Sequence, residues 1–155
     1  MQLARVAVIA AAILAAATAA WAQKPDFSGT WTLDSTSAPG GGMTGAGGGA
    51  LGTGTATVKQ TADALTVERT MGDDNVTLTF KLDGGQSRNI MTGANGRPAD
   101  SLSTAKLDGP KLAIVTKQEI AGQLSESTEV WTVDGSTLTV EVTNGSATQK
   151  RVYKK

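Results

Sequence analysis

The chain has 155 residues, with 14 basic and 14 acidic side chains, no cysteine, no histidine and 4% aromatic residues. Without cysteine there is no disulfide framework, thiolate nucleophile, cysteine-based zinc site or iron–sulfur cluster, and without histidine there is no serine–histidine relay. The balanced charge speaks against a nucleic-acid-binding surface, and the length suits one domain with its own core.

The first segment has the form of an export signal. Arg5 supplies a positive start, an apolar run follows from Val6 to Ala17, and Ala20-Trp21-Ala22 has the pattern of a cleavage site. The run is short for a membrane span, and polar Gln23 and Lys24 follow it. Residues 1–22 are therefore expected to be a signal peptide cleaved near Ala22. Residues 23–155 are expected to form a single exported domain, periplasmic or extracellular, with no stable membrane anchor.

Residues 35–54 follow a different composition. Pro39-Gly40-Gly41-Gly42 and Gly47-Gly48-Gly49 lie among serine, threonine and alanine, and Met43 and Leu51 are the only larger apolar side chains. Such a segment buries too little surface to offset the entropy of ordering it, so a mobile loop is expected over 35–54. A phosphate cradle is disfavoured, because no Lys-Ser/Thr pair follows and Ala56 to Thr61 reads as a strand.

From Thr55 onward the apolar residues recur with period two. Val67, Arg69 and Met71 alternate with Glu68 and Thr70; Leu138, Val140 and Val142 alternate with Thr139 and Glu141. Asp83-Gly84, Asp108-Gly109, Gly122-Gln123, Asp134-Gly135 and Asn144-Gly145 punctuate the pattern as turns. This predicts ten strands, near 28–34, 55–61, 65–71, 75–82, 86–91, 101–107, 111–121, 124–133, 136–143 and 146–154. The fold class is all-β. An antiparallel up-and-down meander of this kind closes most simply as a barrel, which removes exposed edges.

Centring the last hairpins on Gly122-Gln123, Asp134-Gly135 and Asn144-Gly145 pairs Ile114 with Trp131, Trp131 with Leu138, and Leu138 with Arg151. The large apolar residues then share one face. That face is apolar at one end and polar at the other, through Thr116, Gln118, Ser127 and Glu129, and Arg69 and Asn89 join it from earlier strands. A barrel graded in this way suits a small ligand. The candidate ligand-binding residues are Arg69, Asn89, Gln118, Glu129 and Trp131. An inward Arg69 must be met by Glu129, by water or by an anionic group of a ligand, because a buried unpaired charge is costly.

Catalytic patterns are weak. Glu119 faces Glu126 in this register, but outside the barrel and beside Lys117. Asp73-Asp74-Asn75 suits a turn, and no further acidic ligands follow at calcium-loop spacing. No enzymatic activity, metal or cofactor is expected.

Phe27-Ser28-Gly29-Thr30-Trp31 resembles the Gly-x-Trp opening strand of lipocalins and other calycin barrels. In that family the tryptophan sits at the closed end, crossed by a basic side chain from the last strand. The resemblance implies a lipocalin-like barrel in which Gly29, Trp31 and Arg151 form a structural closed end. From Asp26 to Lys155 the chain also resembles small secreted bacterial proteins, although the helix that follows the lipocalin barrel is missing. The expected function is non-enzymatic binding of a small hydrophobic or anionic amphipathic molecule. The alternative is a structural or protein-interaction module with a filled core and no ligand. N-terminal sequencing of exported material should begin at Gln23; a product beginning at Met1 would show that the signal is retained.

Overall fold

The computed structural model describes residues 24–37, 49–92, 98–120 and 122–155, so the export signal lies outside the described residues. Ten strands form one antiparallel sheet: β1 Gly29–Ser37, β2 Thr55–Gln60, β3 Ala64–Met71, β4 Asp74–Lys81, β5 Asp83–Thr92, β6 Pro98–Asp108, β7 Lys111–Ile120, β8 Gln123–Asp134, β9 Thr137–Asn144 and β10 Ala147–Lys154. The order is β4-β3-β2-β1-β10-β9-β8-β7-β6-β5, which curls into a nearly closed barrel. The all-β meander expected from the alternating pattern is the fold that forms. Alternation is its cause. β3 and β9 turn Leu65, Val67, Arg69 and Leu138, Val140, Val142 inward, where all six are buried, and present threonine and glutamate on the other face.

The register differs from the sequence expectation by two residues in each of the last three hairpins. Trp131 pairs with Leu112 and Val140, and Arg151 pairs with Val140, while Leu138 lies opposite Val133 and Tyr153. A shift of two keeps every side chain on its face, so the apolar grouping survives. The cause is the turns. Asp134 and Asn144 end their strands as paired residues, and the loops are Gly135-Ser136 and Gly145-Ser146. Gly135 and Gly145 have φ of 56° and 59°, the positive angle that primed hairpin turns need at the first loop position. The same shift separates Glu119 from Glu126. Glu119 faces Leu124, and Glu126 forms an ion pair with Lys117 at 3.3 Å.

The closed end is built from the start of the domain. Phe27 and Trp31 are fully buried, the Trp31 indole donates to the Phe27 carbonyl at 2.8 Å, and Phe27 meets Trp131 edge-on at 5.9 Å between ring centres. Gln60 pins this segment by accepting from Phe27 N and donating to the Pro25 carbonyl, both at 2.9 Å. The cation over Trp31 is Lys155, with Nζ 4.7 Å from the ring centre, where the resemblance implied Arg151. The register explains the exchange. Thr32 pairs with Lys154, so the chain end reaches Trp31, whereas Arg151 lies beside Thr36 and further up the barrel. The Lys155 side chain crosses directly over Gly29.

β4 and β5 are consecutive but are not joined by backbone pairing. Two side chains close the seam. The Asn89 amide accepts from Thr79 N at 2.8 Å and donates to the Thr79 carbonyl at 3.1 Å, and Ser87 Oγ accepts from Lys81 N at 2.9 Å. Asn89 thus makes both hydrogen bonds that a neighbouring strand would make at this position. Replacing Asn89 with Ala should cost about 1–3 kcal/mol in chemical denaturation, because Thr79 is left without partners on that side. Amide exchange at Thr79 should accelerate far more than at Thr66, which remains paired inside the sheet.

Candidate functional site

Only the two ends of the 35–54 window lie among the described residues. Ser35–Ser37 extend β1, residues 38–48 lie outside the described residues, and 49–54 form a turned segment against the barrel interior. Ala50 and Leu51 are each 2% exposed, and Gly52 N donates to the Gly49 carbonyl at 3.0 Å. Leu51 enters the core here as the one large aliphatic side chain of this segment.

A cluster of charged groups holds the segment in place. Ala50 N donates to Glu129 Oε1 at 2.8 Å, the Trp131 indole donates to Glu129 Oε2 at 3.0 Å, and Tyr153 Oη donates to the Gly52 carbonyl at 2.6 Å. A Cβ at Gly49 would lie 2.7 Å from the Glu129 carboxylate, and one at Gly52 would overlap Arg69 Nη1. Gly52 also has a φ of 69°. The positive φ favours glycine at Gly52, and at both positions a side chain would displace the end of Glu129 or Arg69.

The members come from three strands: Arg69 from β3, Glu129 and Trp131 from β8, and Arg151 and Tyr153 from β10. Arg69, Glu129 and Arg151 are 7%, 3% and 5% exposed. Arg151 Nε donates to Gln149 Oε1 at 2.8 Å, and its guanidinium also bonds the Tyr153 phenol. Arg69 and Glu129 feel each other electrostatically but form no direct ion pair. Arg69 Nε and Nη2 are buried and have no hydrogen-bond partner. Burial raises the Glu129 pKa, opposed by the Trp131 indole, Ala50 N and both guanidinia. Burial raises the Tyr153 phenol as well, and it lowers Arg69.

The sequence-derived candidates therefore divide. Arg69, Glu129 and Trp131 come together, with Trp131 acting as a donor that orients Glu129. Asn89 closes the seam against β4 and takes no part in this cluster. Gln118 lies in a separate inward row in which Asn89, Ser101, Gln118 and Ser125 pair across β5 to β8, and its Nε2 is buried without a partner. Three participants were not singled out from sequence: Tyr153, Arg151 as a member of the charged cluster, and the Ala50–Gly52 turn. The spacing of Arg151 and Tyr153, two apart on one strand face, was the available signal. Leu51 as a lone aliphatic residue among glycines was another. A hollow of about 500 Å³ opens on the β2–β4 wall, but six of its eight lining residues face outward, so it is an outer-surface feature. Among the described residues there is no cluster of metal-ligating side chains.

No family model matches the sequence, and no curated protein sequence matches it. Solved structures share the fold. A structure described as "REP1-NXSQ fatty acid transporter" is 20% identical with a TM-score of 0.55, over 83% of this chain and 94% of that one. Human cRBP IV is 22% identical with a TM-score of 0.57, over 84% of this chain and 98% of that one. Apo lipid binding protein 8 of Caenorhabditis elegans is 16% identical with a TM-score of 0.53, over 83% of this chain and 94% of that one. These likenesses are likenesses of fold, and each spans the barrel.

The raised pKa of Glu129 has a signed consequence. The folded state holds that proton more tightly than the unfolded chain, so the contribution is largest at low pH and is lost as pH rises through the folded value. Glu129→Gln cannot titrate. The stability of wild type relative to this variant should therefore fall as pH rises above the usual carboxylate range in denaturant melts.

Proposed function

We propose that this protein is an exported, non-enzymatic barrel that binds a small amphipathic molecule by its acidic head group. One observation carries the reading. Arg69 is a buried guanidinium whose Nε and Nη2 both lack a partner. These two N–H groups point the same way and form the edge that a carboxylate meets with two parallel hydrogen bonds. Buried polar groups are nearly always bonded, and a buried unpaired charge is costly, so a ligand oxyanion is the natural partner.

The charge balance agrees. Two guanidinia face one carboxylate, which leaves one formal positive charge in excess. One monoanionic head group cancels it. Beside Arg69, the inward rows of β2 to β4 carry Ala56, Val58, Val67, Val76 and Leu78, an apolar wall against which an alkyl chain lies. Two neighbours in fold are described as a fatty acid transporter and a lipid binding protein, which supports an apolar cargo. The calycin resemblance of the opening strand and the signal-like start support the same reading.

Arg69→Leu tests it. Affinity for a fluorescent fatty acid should fall by about 10- to 100-fold, as expected for lost hydrogen bonds to a charged group, while the neutral alcohol of equal length binds as before. If the wild-type protein binds no fatty acid at high micromolar probe, the reading is wrong, and a structural or interaction module with a filled core replaces it.

A further inference from the structure

We propose that the barrel interior carries a second, uncharged subsite at Gln118, which takes an oxygen atom from the body of the ligand. Its preferred cargo is then an oxygenated amphiphile and not a plain alkyl chain. This rests on the reading of the barrel as a small-molecule binder, but not on the acidic head group.

The observation is an imbalance within one polar wall. Ser101 pairs with Asn89 on one side and with Gln118 on the other, and Gln118 pairs in turn with Ser125. Ser101 Oγ donates to the Asn89 carbonyl at 3.2 Å, and the Asn89 amide is engaged with Thr79. In the next row Ser103 and Thr116 bond each other at 2.9 Å. Asn89, Ser101, Ser103 and Thr116 are thus satisfied by protein atoms. Gln118 Nε2 is not: it is buried and has no partner. An amide N–H₂ withdrawn from water without an acceptor costs about 1–3 kcal/mol. An alkyl chain lying against it leaves that cost in place, whereas a hydroxyl, keto or ester oxygen removes it.

The subsite is remote from the charged cluster. Gln118 is four residues along β7 from Ile114, which pairs with Glu129, so about 13 Å of strand separates the two rows. The oxygen therefore belongs to the middle of the ligand and not to its acidic end. A site built to hydrogen-bond an oxygen discriminates against the analogue that lacks it.

The test uses two matched pairs of probes on wild type and Gln118→Leu. The first pair is stearate and stearate hydroxylated in mid-chain; the second is a long alkanol and the alkanediol of equal length. Wild type should bind the hydroxylated member about tenfold tighter, and Gln118→Leu should equalise the pair. Equal binding by wild type overturns the proposal without reference to any variant, and so does a preference that survives in Gln118→Leu. If neither acid binds, the neutral pair decides. A diol preference that Gln118→Leu abolishes leaves the subsite standing and removes only the acid-binding reading; no diol preference removes both.

Discussion

A carboxylate withdrawn from water has to be answered from several directions, and Glu129 is answered by parts of the chain far apart in sequence. Ala50 N reaches it across 79 residues, and the Trp131 indole reaches it from two positions along the same strand. Holding Ala50 fixes the turn that follows. The turn brings Leu51 into the core and lays Gly52 against Arg69 and Tyr153. At Gly49 and Gly52 a Cβ would displace the ends of Glu129 and Arg69, so both glycines let the backbone lie against the charged groups. The carboxylate, the turn and the two guanidinia form one mutually dependent unit, in which removing one member leaves charges or donors exposed to each other.

Much of this fold was legible in the sequence because its cause is local. Alternation with period two fixes which residues face inward, and that assignment holds for Arg69, Gln118, Glu129 and Trp131 alike. The register differs by two residues because Asp-Gly and Asn-Gly are not the loops: the acidic or amide residue completes the strand, and the following serine shares the loop. The error was invisible to the apolar pattern, which repeats every two residues. It became visible where end position matters: Lys155 stands over Trp31 where Arg151 was implied.

What could not be read was any contact in which a side chain replaces backbone or backbone meets a buried charge. Nothing in the pattern around Asn89 distinguishes a ligand-facing amide from one that bonds Thr79 on both sides. Likewise, a glycine-rich stretch has the composition of an entropic spacer, and at its described end Glu129 and Tyr153 supply partners from distant strands. Arg69 was the exception. A charge interrupting an apolar strand face is anomalous in one dimension, and it is equally anomalous in three, with two N–H groups unanswered.

The seam between β4 and β5 also bears on how the chain is threaded. Around the barrel every backbone-paired neighbour follows its partner in sequence except β1 and β10, which join the two ends of the chain. That pairing brings residues near 32 beside residue 154, so the ends of the domain are adjacent in space. Joining them and cutting instead at Leu82–Gly85 would give an uninterrupted meander from β5 round to β4, with each pairing made between successive strands. The native connectivity is a circular permutation of this simplest order. It sets one closure of long sequence separation, the slow kind of contact in folding, at the middle of the sheet, and leaves the side-chain clasp of Asn89 and Ser87 at its two outermost strands.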